Sequence, residues 1–361
     1  MAIKLFEPHI DDSEKNSVLK TLDSKFWASG SGIGLVKKFE NKFNNYINAD
    51  TCIAVNSGTA ALNIAVSLLD IKGGEVIIPS LSFVSTANCV LQNGGKPKFV
   101  DVNPKTLCID DELVEKSLTN NTKAIIPVDF GGMPSITEKI WKLSREYKIP
   151  IIEDAAHAAG ASYKKSKVGS RGFAVCFSFH PVKNLSMPTG GLIAINSKEY
   201  SKIRKKIEAR RWCGITNRID DDYDIKELGN NYYMNEISAA IGIEQLKKLN
   251  RLNSIRKKIA KRYHSELDIK YKMPFDKGCS YHLYWICVKN RTKFRKILKS
   301  QGVETGTHYK PIHTFSLYKN QKKLPVTERI GKDIVTIPIH PNLTDYQIDK
   351  IIRLINKFAS S

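Results

Sequence analysis

The stretch Cys176-Phe177-Ser178-Phe179-His180-Pro181-Val182-Lys183-Asn184 decides the fold and the chemistry that the sequence predicts. An apolar run of strand type, residues 173–179, ends at a proline, and a single lysine follows at once. Residues 188–191, Pro-Thr-Gly-Gly, then turn the chain into a second apolar run over 192–195. The pattern therefore predicts one amine in a loop between two buried segments. Loss of hydration lowers the pKa of such a lysine and makes it a nucleophile toward carbonyls.

Lys183 could also be an ordinary surface lysine, and a second segment bears on that choice. Residues 149–157 read Ile-Pro-Ile-Ile-Glu-Asp-Ala-Ala-His, a strand of buried type that ends at Asp154. In α/β sheets, ligands bind in the crevice beyond the carboxyl ends of the strands. Asp154 is therefore either a carboxylate delivered into a crevice or the N-cap of a following helical turn.

A third segment predicts an anion site. Residues 54–62 read Ala-Val-Asn-Ser-Gly-Thr-Ala-Ala-Leu, in which a short strand passes through Ser57, Gly58 and Thr59 into an apolar-periodic helix. The free N–H groups at a helix start attract phosphate, although an ordinary capped helix would show the same pattern. An amine, a buried acid and a phosphate cradle together are the components that a pyridoxal phosphate enzyme needs.

Four segments in this order resemble the DegT/DnrJ/EryC1/StrS family. They are Asn-Ser-Gly-Thr-Ala-Ala-Leu (56–62), Pro-Ser-Leu-Ser-Phe (79–83), Glu-Asp-Ala-Ala-His (153–157) and Phe-Ser-Phe-His-Pro-Val-Lys-Asn (177–184). The resemblance runs from about Phe6 to the C-terminus. It implies a sugar aminotransferase of the aspartate-aminotransferase fold, which is pyridoxal phosphate fold type I. That fold is α/β, with a mixed, mostly parallel sheet between helices in a large domain and a smaller C-terminal α+β domain. We expect the domains at 1–236, which includes an N-terminal substrate loop near 26–34, and 237–361.

The resemblance also implies roles for individual residues. Lys183 would hold pyridoxal phosphate covalently and move a proton between donor and cofactor, while Asp154 would keep the pyridine nitrogen protonated. The other implied cofactor contacts are Gly58, Thr59 and Ser178 at the phosphate, Phe83 over the ring, His157 beside the phenolic oxygen, and Asn231 from a partner subunit. The implied substrate contacts are Trp27, His180, His308 and Tyr309.

Several of these residues could instead have an ordinary structural role. The residues alone favour a core phenylalanine at 83. Asn231 is also consistent with a simple turn residue, and His180 is equally consistent with a packed residue at a strand end. His308 lies in a segment that is equally a plain loop. We predict no metal site, because His308 and His313 lack a nearby acid. The sequence also departs from the family pattern in the loop at Pro188-Thr189 and at Asn230 and Tyr233.

The segment around Lys183, His-Pro-Val-Lys-Asn, resembles the corresponding segment of the C4 aminotransferases of the family. The C3 aminotransferases tend to have Tyr-Pro-Gly-Lys-Asn there. The implied reaction moves an amino group from glutamate to a 4-keto-6-deoxy hexose on a nucleoside diphosphate, for surface-polysaccharide or glycoconjugate sugar biosynthesis. Alternatives are a 3-keto-sugar or keto-cyclitol aminotransferase, or a non-catalytic protein that binds the cofactor for regulation. The implied active form is a homodimer with shared sites.

The composition of the chain bears on whether it binds nucleic acid or a membrane. The 361 residues carry a net charge of +21, which indicates anionic partners, but no nucleic-acid-binding module accompanies it, and we expect no nucleic-acid partner. No apolar run approaches a membrane span, so we expect no membrane partner. The seven cysteines include no Cys-x-x-Cys pair and the N-terminus is not a signal peptide, so we expect reduced thiols in a cytoplasmic protein.

Alternation of short apolar runs with helical patterns predicts the large domain. The expected strands are 52–55, 75–79, 97–102, 123–128, 149–154, 173–179 and 191–196, and the expected helices are 11–24, 35–47, 59–70, 83–92, 110–118, 135–147 and 198–211. Residues 212–235 are expected to be irregular. Farther on, we expect helices at 237–249, 255–267 and 292–301, with strands near 283–288 and 335–339.

Overall fold

The structure is a computed structural model that describes residues 2–318 and 322–359. A single sheet of seven strands forms the centre of the molecule. The strands of the described chain are β1 Thr51–Val55, β2 Glu75–Pro79, β3 Lys96–Val100, β4 Thr122–Ile125, β5 Ile152–Asp154, β6 Ser162–Tyr163, β7 Ser166–Lys167, β8 Ala174–Ser178, β9 Gly191–Ile195, β10 Ile215–Ile219, β11 Asp222–Ile225, β12 Tyr284–Cys287 and β13 Ile334–Ile337. The α-helices are α1 Asp12–Asp23, α2 Leu35–Ile47, α3 Gly58–Ser67, α4 Ser85–Gln92, α5 Asp111–Ser117, α6 Glu138–Glu146, α7 Tyr200–Arg211, α8 Glu236–Glu266, α9 Arg291–Ser300, α10 Pro325–Asp333 and α11 Asp345–Phe358.

The central sheet is mixed and mostly parallel, which confirms the predicted fold class. Its strands pair in the orders β3-β2-β4 and β5-β8-β9-β1, and parallel bridges from Ile125 to Ile151 and from Val128 to Asp154 join the two groups. Strand β9 runs antiparallel to both of its neighbours. Strands β1 and β9 are buried along their whole length, as expected for a sheet that helices cover on both faces.

Helix α8 differs from the prediction. The two helices expected at 237–249 and 255–267 are one continuous helix of 31 residues. Residues 250–254, which lay between the two predicted helices, contain neither proline nor glycine. Asn253 is buried there instead, and its amide donates to the carbonyl of Ala159 at 2.9 Å. The prediction was wrong because a buried, fully bonded asparagine has the same sequence signature as a loop residue.

The two halves of α8 pack in different cores. Ala239, Ile243 and Leu249 lie in a cluster with α2 and the sheet, whereas Ile259 and Tyr263 lie in a second cluster with residues of the C-terminal part. That second cluster contains the antiparallel pair β12–β13 and helices α9 to α11, together with Ile3. The division at 236 and 237 stays a prediction, and α8 crosses the region between the two cores.

Residues 212–235 contain a hairpin that the sequence analysis did not predict. Strands β10 and β11 pair antiparallel there, and their large side chains Ile219, Tyr223 and Ile225 are exposed. These side chains are exposed, so the segment lacks the alternation of apolar and polar residues that marks a strand packed against a core. No strand was predicted there for that reason. No helix in the described ranges is both long enough and apolar enough to cross a membrane.

Candidate active site

A cavity of about 350 Å³ opens at the carboxyl ends of β5 and β8, beside the N-termini of α3 and α4. Among the residues predicted from sequence, the cavity is lined by Gly58, Thr59, Phe83, Asp154, His157, Ser178, His180, Lys183, His308 and Tyr309. The fold thus brings together residues that are up to 251 positions apart in the chain (58 to 309). Their individual roles stay predictions.

Lys183 follows β8 in the loop that the sequence predicted. Its amide donates to the carbonyl of His180 at 2.8 Å, which closes a turn and directs the chain back toward β9. Burial lowers the pKa of its amine to about 8, and the negative charge of Asp154 partly opposes that shift. A substantial fraction of the amine is therefore neutral, and nucleophilic, just above neutral pH.

Asp154 is the last residue of β5 and is 4% exposed. Burial raises the pKa of its carboxyl group, while three contacts oppose the rise: the hydroxyl of Thr86 at 2.7 Å, the amide of Ala156 at 3.2 Å, and the charge of Lys183. The carboxylate thus has partners on both oxygens. It can hold a positive charge in the cavity, as a protonated pyridine nitrogen would require.

The first turn of α3 forms the anion site. Ser57 caps the helix by accepting from the amide of Ala60 at 3.1 Å, and the hydroxyl of Thr59 lies 2.7 Å from that of Ser85. The amides of Gly58 and Thr59 belong to the first turn, where a helix supplies no carbonyl partner. A Cβ atom on Gly58 would lie 2.7 Å from Cβ of Ser178, so only glycine leaves this corner open. The cradle offers the N–H and O–H donors that a phosphate group needs.

His157 is buried and lies between two partners. Its Nδ1 accepts from the amide of Gly131 at 3.2 Å, and its Nε2 lies 3.1 Å from the hydroxyl of Tyr309. Burial, with the charges of Lys183 and His308 added, lowers its pKa well below the usual range. The charge state that the sequence left open is therefore neutral.

His308 and His180 are the other imidazoles of the cavity. The Nδ1 atom of His308 lies 2.8 Å from the hydroxyl of Thr336, and burial lowers the pKa of the ring to about 4. Burial and the charge of Lys183 also lower the pKa of His180, which is exposed at the mouth. Both rings therefore act near neutral pH as uncharged hydrogen-bonding groups.

Phe83 is 57% exposed although it is a large apolar residue. It lines the cavity, and its ring centroid lies 6.1 Å from that of Tyr309. The reading of Phe83 as a core residue is wrong, because a core ring would be covered by its own chain. An exposed aromatic face in a cavity is suited to stacking on a planar ring.

Trp27 and Asn231 do not line this cavity. Trp27 is half exposed, with its indole N–H donating to the carbonyl of Leu22 at 3.2 Å. Asn231 is exposed, and its carbonyl accepts from the side chain of Asn56 at 3.2 Å, next to the phosphate cradle. Neither residue lines this cavity in its own chain, and the roles that the sequence implies for them stay predictions.

Three residues of the site were not found from sequence. Thr86 bonds to Asp154, Gly131 donates to His157, and the ring of His282 lies 4.5 Å from that of His157. Thr86 follows the recognised Pro-Ser-Leu-Ser-Phe segment by three residues, so the first turn of a predicted helix was the available signal. The Gly131-Gly132 pair was a turn signal, but nothing local indicated its partner.

The chain is similar to known proteins along nearly its whole length. The sequence model of the DegT/DnrJ/EryC1/StrS aminotransferase family matches residues 8–356. The uncharacterised protein MJ1066 of Methanocaldococcus jannaschii is 35% identical over 380 residues, which cover 98% of this chain and 97% of that protein. Helicobacter pylori PseC, an aminotransferase involved in the biosynthesis of pseudoaminic acid, is 28% identical over 100% of both chains, with a TM-score of 0.93. Streptococcus pneumoniae Spr1654, solved in a PLP form, is 26% identical over 100% of this chain and 99% of that chain, also with a TM-score of 0.93.

Proposed function

The chain belongs to the DegT/DnrJ/EryC1/StrS aminotransferase family, and we propose that it uses pyridoxal phosphate to move an amino group from glutamate to a nucleotide-linked keto sugar. The observation that carries the proposal is the pairing of Lys183 with Asp154 in one cavity. Each of these two groups affects the pKa of the other through its charge. An amine for covalent capture and an acid for the ring nitrogen are the two groups that this chemistry requires.

Pyridoxal phosphate, when bound, supplies an aromatic ring that accepts the electrons released when a proton leaves the donor's α-carbon. The first turn of α3, with Gly58, Thr59 and Ser178, would hold its phosphate. Asp154 would stabilise the protonated pyridine nitrogen, and His157 would lie beside the phenolic oxygen. Phe83 offers the exposed face that would stack on the ring.

Lys183 has two tasks in this proposal. Its neutral amine would hold the cofactor, and the same amine can take up and return a proton when it is free. Its pKa of about 8 suits both tasks, because protonated and neutral forms coexist near neutral pH. The neutral rings of His180 and His308 stand on the substrate side and can bond to sugar hydroxyl groups.

We further propose that the active form is a homodimer in the cytoplasm. Asn231 is exposed beside the phosphate cradle and does not line the cavity of its own chain. We therefore expect its side chain to contact the site of a neighbouring subunit. The large exposed side chains of the β10–β11 hairpin supply apolar surface for such a contact. Each of the seven cysteines, all within the described residues, is a free thiol.

For the acceptor we propose a 4-keto-6-deoxy hexose on a nucleoside diphosphate. The support is the His-Pro-Val-Lys-Asn segment and the position of His180 at the mouth of the cavity. The net charge of +21 suits a diphosphate that stays outside the cavity and contributes binding energy there.

The test is a set of nucleoside-diphosphate keto sugars offered to the purified protein with pyridoxal phosphate and glutamate. We expect glutamate alone to change the absorbance of the bound cofactor, and a 4-keto sugar to restore it with formation of an amino sugar. Lys183→Ala should bind cofactor without turnover.

Other outcomes would redirect the assignment. Turnover of a 3-keto isomer alone would move the amination to C3, and turnover of a free keto-cyclitol alone would remove the nucleotide from the substrate. Absence of any response to glutamate, with salt-dependent binding to duplex DNA, would favour a regulatory protein.

A further inference from the structure

A chain of three hydrogen-bonding groups leads from the backbone into the cavity. It starts at the amide of Gly131, which lies 3.2 Å from Nδ1 of His157. A backbone N–H can only donate, so Nδ1 must accept and carry no proton. The His157 ring is neutral, because burial and the nearby charge of Lys183 lower its pKa well below the usual range. Its one proton therefore lies on Nε2.

The direction of the next bond follows from the first. Nε2 of His157 lies 3.1 Å from the hydroxyl oxygen of Tyr309. Because Nε2 carries the proton, it donates and Tyr309 accepts. Burial and the charge of Asp154 raise the pKa of Tyr309, so the hydroxyl also keeps its own proton. Tyr309 lines the cavity, and that proton is available to an acceptor there.

A buried turn holds Gly131 in place. One side-chain oxygen of Asp129, which is fully buried, accepts from the amide of Ser135 at 2.7 Å and from its hydroxyl at 2.6 Å. The backbone of Asp129 also accepts from the amide of Gly132 at 2.9 Å. Gly131 has φ of 66° and Gly132 has φ of 94°, conformations that glycine adopts without strain.

The far side of the same turn is also fixed. The carbonyl of Gly131 accepts from the amide of His282 at 2.9 Å, and that of Gly132 accepts from the amide of Ser280 at 3.1 Å. A Cβ atom on Gly132 would lie 2.3 Å from the hydroxyl of Ser280, so the turn is packed as well as bonded. Asp129 does not itself line the cavity.

We propose that Gly131, His157 and Tyr309 form a hydrogen-bond chain of fixed direction that presents an O–H donor to the cavity, and that Asp129 is its positioning residue. The ligand atom that this donor suits is an acceptor oxygen, such as a phenolate or a keto oxygen. The inference rests on the proposed function only for the identity of that acceptor. The direction of the chain is a property of the protein without cofactor or substrate.

The experiment is nitrogen NMR of the cofactor-free, full-length protein with ¹⁵N-labelled histidine, with the His157 signals assigned by loss in His157→Gln. The shifts of Nδ1 and Nε2 distinguish the two tautomers and the charged ring. We expect Nδ1 bare and Nε2 protonated, with no titration near the usual imidazole pKa of about 6.5. Asp129→Ala should lose this signature, giving mixed tautomers or a titrating ring. Asp129→Asn should restore it, because an amide oxygen can still accept from Ser135.

Ser135→Ala is the milder variant if Asp129→Ala does not fold, and we expect it to shift the same signals in the same direction. A wild-type ring with its proton on Nδ1, or a charged ring, would overturn the direction of the chain. A wild-type signature retained in Asp129→Ala, or in Ser135→Ala where the former does not fold, would remove Asp129 as the positioning residue. Neither result bears on whether glutamate changes the absorbance of the bound cofactor, so the proposed function stands or fails separately.

Discussion

The carboxylate of Asp154 accepts a hydrogen bond of 2.7 Å from the hydroxyl of Thr86, and both groups are buried. The hydroxyl of Ser82 lies 2.8 Å from that of Thr86, which places a short polar chain behind the carboxylate. A hydrogen bond to a charged group contributes roughly 1.5–3 kcal/mol. Thr86 therefore favours the ionised form of Asp154, together with the amide of Ala156 and the charge of Lys183.

Thr86→Val should lower kcat/KM by roughly tenfold to a hundredfold, because the variant keeps the shape of threonine and removes the donor. The pKa of Asp154 should rise, so the acid limb of the pH profile should move to higher pH. Steady-state kinetics across pH measures both effects. Ser82→Ala, which leaves the Thr86 bond in place, should have the smaller effect. An unchanged pH profile in Thr86→Val would mean that Asp154 needs no donor.

Capture of pyridoxal phosphate by the cofactor-free protein should speed up as the pH rises through about 8. The amine of Lys183 is charged below its pKa and nucleophilic above it, and burial places that pKa at about 8. Stopped-flow absorbance measures the rate. Asp154→Asn removes a charge that raises the pKa of Lys183, so its midpoint should lie at lower pH. A midpoint near the ordinary lysine value in the wild type would show that the amine is not desolvated.

Gly58→Ala should weaken cofactor binding and destabilise the cofactor-free protein by about 1–3 kcal/mol, the usual range for an overpacked site. The added methyl group would lie 2.7 Å from Cβ of Ser178. Thermal unfolding and cofactor titration measure the two effects. Ser178→Gly added to Gly58→Ala should recover part of the stability, because it removes the Cβ atom that the added methyl group would contact. A double variant no more stable than Gly58→Ala would place the strain elsewhere.

Lys183→Ala and Asn231→Ala chains, each inactive alone, should regain activity when mixed and allowed to exchange subunits. If Asn231 completes the site of its neighbour, each mixed dimer has one intact site. Random exchange should then restore about a quarter of the wild-type activity, since half of the dimers are mixed. Two Lys183→Ala preparations mixed in the same way are the control. Full activity in Asn231→Ala alone, or an active monomer at assay dilution, would contradict the shared site.

Sequence reasoning found the parts of the site that depend on neighbours in the chain. Lys183 after a strand and Asp154 at a strand end were predictable, because strand periodicity and a following proline or small residue are local signals. The same holds for the capped start of α3. The strands of the central sheet lie where the apolar runs placed them.

Other features depended on partners far away in the sequence. Thr86 lies 68 positions from Asp154, and Gly131 lies 26 positions from His157. Asn253 lay between two predicted helices, and its partner, the carbonyl of Ala159, is 94 positions away. A polar residue has the same appearance in sequence whether water or a buried carbonyl satisfies it. The pairing of such residues is decided by the fold as a whole.

Helix α8 has a consequence for how the protein denatures. Leu249 in the sheet-side core and Ile259 in the C-terminal core lie 10 residues apart on one unbroken helix, a rise of roughly 15 Å. Melting one core would expose the apolar side of this helix and remove support from the turns that the other core needs. The two cores should therefore lose structure in one cooperative transition on heating, and slow local opening should be confined to segments outside α8.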